Sequence, residues 1–84
     1  MSYSVFILRR GQGELEKLPL ESYERVKEAI RRLSEEPRPS GCKKLAGREG
    51  WRIRVGDYRV IYEIDDKAEV ITVLHLGRRR NIYR

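Results

Sequence analysis

The 84-residue chain has one cysteine, one histidine and one tryptophan, and no apolar run near the ~20 residues that a membrane-crossing helix needs. Cys42 alone cannot close an internal disulfide, and Cys42 with His75 makes no recognisable zinc-ligand spacing. A bland structural thiol is therefore expected, with no metal and no small-molecule cofactor. The opening Met1-Ser2-Tyr3-Ser4-Val5 lacks the basic stretch and apolar core of a secretory signal, so a cytoplasmic location without membrane contact is expected. Internal repeats, linkers and low-complexity tracts are absent. At this length a single domain over residues 1–84 is expected, burying only about 60% of the surface its unfolded chain exposes.

What the chain does have is basic charge, unevenly placed. The net charge is +6. Residues 1–37 carry seven Lys or Arg against seven acids, whereas residues 38–84 carry twelve against six. The whole excess lies in the second half, which points to a polyanion-facing side there.

Hydrophobic periodicity divides the chain in the same place. Tyr3 to Leu8 mixes β-branched and aromatic residues and reads as a strand. Gly11 to Lys17 can hold a short helix, and Pro19 suits the first turn of a second one. From Leu20 to Leu33 the apolar residues Leu20, Tyr23, Val26, Ile30 and Leu33 recur at spacings of three and four, with Glu and Arg opposite. That is an amphipathic helix, reinforced by the favourable Glu28–Arg32 spacing and ended by Pro37, Pro39 and Gly41. Beyond it the period falls to two. Lys43–Leu45, Trp51–Val55, Tyr58–Ile64 and Glu69–Leu76 are expected as strands. Gly56-Asp57 has the size and the leading glycine of a type II′ hairpin turn, and Asp65-Asp66-Lys67-Ala68 closes the next hairpin. The expected fold class is α+β, a small antiparallel sheet with two N-terminal helices packed on one face.

Strand alternation then makes a chemical prediction. In Trp51-Arg52-Ile53-Arg54-Val55 the apolar residues take one face and Arg52 and Arg54 the other. A two-residue turn at Gly56-Asp57 sets Arg54 directly opposite Arg59, so three arginines converge. Like charges opposite each other on neighbouring strands destabilise a sheet by up to about 1 kcal/mol, so an anionic ligand is expected on that face. Solvated arginines with their stems on apolar surface are the alternative, and that reading weakens as the number of converging arginines grows. His75, by simple alternation, shares the core side with Ile71 and Val73 and reads as a hydrogen-bonded structural histidine outside the site.

Two segments add a resemblance that spans almost the whole chain. KKLAGREGWRIRVGDYRVIYEI is similar to the K-L-x-G element, aromatic with alternating basic residues, turn and Y-R-x-x-Y of the RelE/ParE superfamily of toxins from toxin-antitoxin modules. The ending VLHLGRRRNIYR resembles that family's closing glycine, arginine and tyrosine signature. The order and spacing of the motifs, more than any one of them, carry the likeness.

The resemblance implies a RelE-like fold and a toxin that enters the ribosomal A site and cuts messenger RNA as a metal-independent endoribonuclease. In such cleavage the RNA's own 2′-hydroxyl attacks the adjacent phosphate. Carried over by position, Arg52, Arg54 and Arg59 would grip the scissile phosphate, Arg79 would stabilise or protonate the leaving 5′ oxygen, and Tyr83 would stack on or orient a base. Lys43, Lys44, Arg78, Arg80 and Arg84 would hold the RNA backbone. Some well-studied members carry lysines where Arg52 and Arg54 stand. Arginine stays protonated, so the general base is left open between Tyr83, acidified by Arg79 and Arg84, and a lysine such as Lys44. The implied partners are a cognate antitoxin, the ribosome and mRNA. The competing reading is a ParE-like inhibitor of DNA gyrase without nuclease activity, and a third is a non-catalytic RNA-binding module.

Overall fold

The computed structural model describes residues 2–78. Strand β1 (Ser4–Ile7) leads into helix α1 (Arg9–Glu16) and helix α2 (Leu20–Leu33). Four strands follow: β2 (Lys43–Lys44), β3 (Trp51–Val55), β4 (Tyr58–Asp65) and β5 (Val70–Arg78). The sheet order is β1-β5-β4-β3-β2. The expected α+β architecture is present, with one refinement: β1 pairs parallel to β5, so the sheet is mixed. Strand direction is set by where the helices return the chain, and a local pattern carries no record of that.

Helix α2 buries Val26, Ile30 and Leu33, the inner members of the stripe read from the sequence. Pro19 is its N-cap, one position before the expected first turn, and the Pro19 carbonyl accepts from the Tyr23 amide at 2.8 Å. Glu21 in the first turn and Arg31 and Arg32 in the last oppose the helix dipole favourably. Helix α1 contains two glycines that weaken its intrinsic propensity. It is held by packing, because Leu15 is buried and Gly11 lies against the sheet, where a Cβ would come within 3.0 Å of Ile7 Cγ2.

Both helices cover one sheet face, whose core is Ile53, Tyr58, Val60, Tyr62, Ile71, Val73 and Leu76. Polar ties close the periphery. The Tyr62 hydroxyl donates to the Pro37 carbonyl at 2.7 Å, and Asp66 accepts from the Tyr3 hydroxyl at 2.7 Å and from Arg38 at 2.8 and 3.2 Å. These bonds tie the α2–β2 connection and the chain's first residues to the β4–β5 hairpin. No helix among the described residues is long and apolar enough to cross a membrane.

Candidate nucleic-acid interface

The β3–β4 hairpin forms in the register that its turn residues dictate. Gly56 adopts φ +59, as the first position of a type II′ turn demands. Val55 faces Tyr58, and Arg54 is the Cα partner of Arg59. Partners in an antiparallel ladder project to the same side, and Ile53, Val55 and Tyr58 point into or against the helical core. Arg52, Arg54 and Arg59 therefore share the face turned away from the helices.

Pairing extends this face across the sheet, with Glu63 opposite Thr72 at one side and two rows around the arginines. One row runs Lys43, Arg52, Ile61 and His75, and the next runs Arg54, Arg59 and Gly77. Their exposure is graded: Arg54 is open to solvent and Arg52 half-buried, while Arg59 is only 3% exposed. Ile61, 1% exposed, lies outside the helical core cluster, so the central strand is shielded on both faces. Neither Arg52 nor Arg54 forms an ion pair among the described residues, which leaves their guanidinium groups available to an anion.

The remaining basic residues divide between the two faces. Lys43 lies opposite Arg52 on the arginine face, but Lys44 lies opposite Trp51 on the other face, with its ammonium 5.4 Å from the indole centroid. Adjacent strand residues alternate, so the two lysines cannot both line one face. Lys44 is thereby removed from the neighbourhood of the three arginines and from the position of a general base there. Arg38 takes another cation–π contact with Trp51 at 4.9 Å. Arg78, at the end of β5, pairs with Tyr58 and stacks on its ring at 5.7 Å, also on the helical side. Arg79, Arg80, Tyr83 and Arg84 lie outside the described residues.

His75 departs most from the sequence reading. Leu74 is an extra residue in β5, because Val73 pairs with Tyr62 while His75 pairs with Ile61. This β-bulge reverses the alternation, placing Leu76 in the core beside Val60 and His75 on the arginine face. The imidazole is 7% exposed and its Nδ1 is buried without a hydrogen-bond partner, so the expected hydrogen-bonded core histidine is corrected on both counts. Burial, followed by the nearby charge of Arg10, lowers its pKa, with Glu14 opposing and Arg48 assisting. The sequence does contain a trace of the bulge, the apolar doublet Val73-Leu74 inside an otherwise alternating strand.

A groove of about 820 Å³ runs between α2 and β3, lined by Ala29, Ile53 and Val55 and edged by Glu28, Arg32 and Lys43 among others. The short β2 pairs only with Trp51 and Arg52. Among the described residues, the Ile53–Val55 edge of β3 thus has no strand beside it on the groove side. No cluster of three or more His, Cys, Asp or Glu suited to a metal ion occurs among the described residues.

Residues 9–83 match the family model of the ParE toxin of the type II toxin-antitoxin system. The chain belongs to the RelE/ParE toxin superfamily. It is 35% identical to toxin RelG of Mycobacterium tuberculosis over 88 residues, covering 100% of this chain and 99% of that toxin. Among solved structures, it resembles the RelE–RelB complex of Pyrococcus horikoshii with a TM-score of 0.85 at 37% identity, over 96% of this chain and 99% of the other. The isolated RelE toxin of Escherichia coli aligns with a TM-score of 0.80 at 26% identity, over 98% of this chain and 92% of the other. Within this RelE/ParE member, the two helices and the five-stranded sheet are the elements that the solved RelE structures share.

Proposed function

We propose that this RelE/ParE toxin is an endoribonuclease that cleaves messenger RNA in the ribosomal A site. The observation that carries this reading is the convergence of Arg52, Arg54 and Arg59 on one sheet face through the β3–β4 register. Attack of a 2′-hydroxyl on its neighbouring phosphate builds negative charge on the non-bridging oxygens. Planar guanidinium groups meet that charge in bidentate geometry and hold it better as it grows. The charge is met by guanidinium groups, so the step requires no metal. Arg79 follows the last described strand residue and would stabilise or protonate the leaving 5′ oxygen. Tyr83 would stack on or orient a base, as aromatic rings do with unstacked RNA. Lys43, Arg80 and Arg84 would hold the flanking backbone, with Lys44 and Arg78 contributing charge from the far side of the sheet.

The cytoplasm is the compartment where such a toxin meets ribosomes, and a cognate antitoxin is its natural partner, since RelE relatives are solved in complex with RelB. The α2–β3 groove and the open edge of β3 suit an amphipathic antitoxin segment able to add main-chain hydrogen bonds to the sheet. Acidic residues in that segment would complement Lys43, Arg52 and Arg54 along the rim.

The family model matched is that of ParE, which favours a second reading: inhibition of DNA gyrase by protein contact, with no RNA cut. A cluster of opposed arginines serves phosphate chemistry and is not needed for gripping a topoisomerase. Induction in growing cells separates the two. Immediate loss of protein synthesis, abolished by Arg79→Ala, supports the nuclease, whereas a DNA-damage response with translation initially intact supports the gyrase reading.

A further inference from the structure

The cleavage reading leaves one chemical role unfilled. Arg52, Arg54 and Arg59 are protonated at any physiological pH, so none of them takes the proton from the attacking 2′-hydroxyl. In the two rows nearest the three arginines, Lys43 is likewise a cation and Ile61 and Gly77 have no titratable group, while Glu63, opposite Thr72, lies one row further from them on the same face. His75 is the one member whose ordinary pKa lies near neutrality.

Its position is specific. The bulge at Leu74 aims His75 at this face, a use of bulges common beside active sites. Gly77, two residues further along β5, is the cross-strand partner of Arg59, so His75 and Arg59 are diagonal neighbours. Gly77 itself brings no side chain to the position opposite Arg59. A buried nitrogen without a partner destabilises the fold, and an apolar residue beside Ile61 would avoid that cost. Buried polar atoms that break this rule call for a purpose.

Given the RNA-cleaving function proposed above, on which this inference rests, we propose that the His75 imidazole is the proton acceptor for the attacking 2′-hydroxyl. The 2′ oxygen passes its proton to His75 as the O2′–P bond forms and the P–O5′ bond breaks. The leaving 5′ oxygen takes a proton from solvent, and the imidazolium releases its own proton to solvent. The products are a 2′,3′-cyclic phosphate and a 5′-hydroxyl, with no oxidant, reductant or water consumed. The charged groups that bear on the imidazole are Arg10 and Glu14 of α1 and Arg48 of the β2–β3 loop, and Arg59 and Glu63 flank its cross-strand partner Ile61 on the same face of β4. Burial first, then Arg10, favours the neutral, proton-accepting form, with Glu14 opposing and Arg48 assisting. Because only 7% of the residue is exposed, RNA binding has to open its cover.

The test is single-turnover cleavage of mRNA on programmed ribosomes from acid to neutral pH, with the wild type, His75→Gln and Tyr83→Phe. His75 is the only histidine, so its NMR titration in the wild type is unambiguous and needs no variant that could misfold. The expected wild-type profile has an acid limb that follows the His75 titration. His75→Gln, with a folded spectrum, loses that limb and at least about 100-fold in rate, the usual contribution of a positioned acid or base. Tyr83→Phe keeps the limb. An acid limb that moves with Tyr83→Phe, a limb that ignores the His75 titration, or a His75→Gln protein as fast as wild type overturns the assignment while leaving the nuclease reading intact. A wild type that cuts no RNA overturns both.

Discussion

Arg54 and Arg59 are direct cross-strand partners in the β3–β4 hairpin, both projecting from the face that the helices leave uncovered. Opposed like charges of this kind cost a sheet up to about 1 kcal/mol, so the hairpin holds a cationic arrangement that folding alone disfavours. Arg54→Gln is expected to raise stability by a few tenths to about 1 kcal/mol in urea denaturation. The same substitution weakens binding to single-stranded RNA and reduces the steepness of its salt dependence by about 0.7, the loss of one phosphate contact. A variant of unchanged stability and unchanged salt slope would mean that Arg54 is simply solvated.

Tyr62 is fully buried and donates its hydroxyl to the Pro37 carbonyl at 2.7 Å. Burial, with Cys42 nearby, pushes the phenol pKa upward, so the group remains a donor throughout the useful pH range. Tyr62→Phe keeps the ring in the core and orphans the carbonyl, with an expected cost of about 1 kcal/mol. A urea midpoint identical to wild type would show that the bond contributes nothing net.

Two acid-side transitions in stability follow from depressed pKa values. Arg38, and then the Tyr3 hydroxyl, hold the Asp66 carboxyl down from 3.8 to about 2. The unfolded chain therefore binds the proton first, and the stability from Asp66 is complete above its unfolded value and is lost as pH falls through about 2. His75, also lowered in the fold, gives the same sign in a higher window: stability begins to fall as pH drops below its ordinary 6.5. Asp66→Asn should flatten the lower transition and His75→Gln the upper one in thermal melts taken across pH. Melts of the two variants that track the wild type at every pH would contradict these assignments.

Local pattern carried much of this structure. The stripe from Leu20 to Leu33 defines α2, and Trp51–Val55 forms the expected strand, because burial of one face imposes its own period on the sequence. The Arg54–Arg59 pairing was legible for the same reason, since a two-residue turn with a leading glycine leaves one register. What local pattern could not supply is non-local. The parallel pairing of β1 with β5 depends on a return path through two helices. The side taken by His75 depends on one extra residue, and a single-residue slip exchanges the two faces of everything beyond it. The separation of Lys44 from Lys43 was available from alternation, but two residues of a two-residue strand carry no period by themselves.

The central claim is that the arginine face holds a phosphate while the RNA's own 2′-hydroxyl cuts it. The direct measurement programs ribosomes with two messages that differ only in a 2′-deoxy sugar at the nucleotide 5′ to the mapped cut, then determines the termini of every fragment. The predicted result is cleavage of the all-ribose message to a 2′,3′-cyclic phosphate and a 5′-hydroxyl, none of the deoxy message, and loss of the first cut in an Arg52→Ala/Arg54→Ala protein. Equal cleavage of both messages, or intact RNA from an active toxin that still arrests growth, would contradict it.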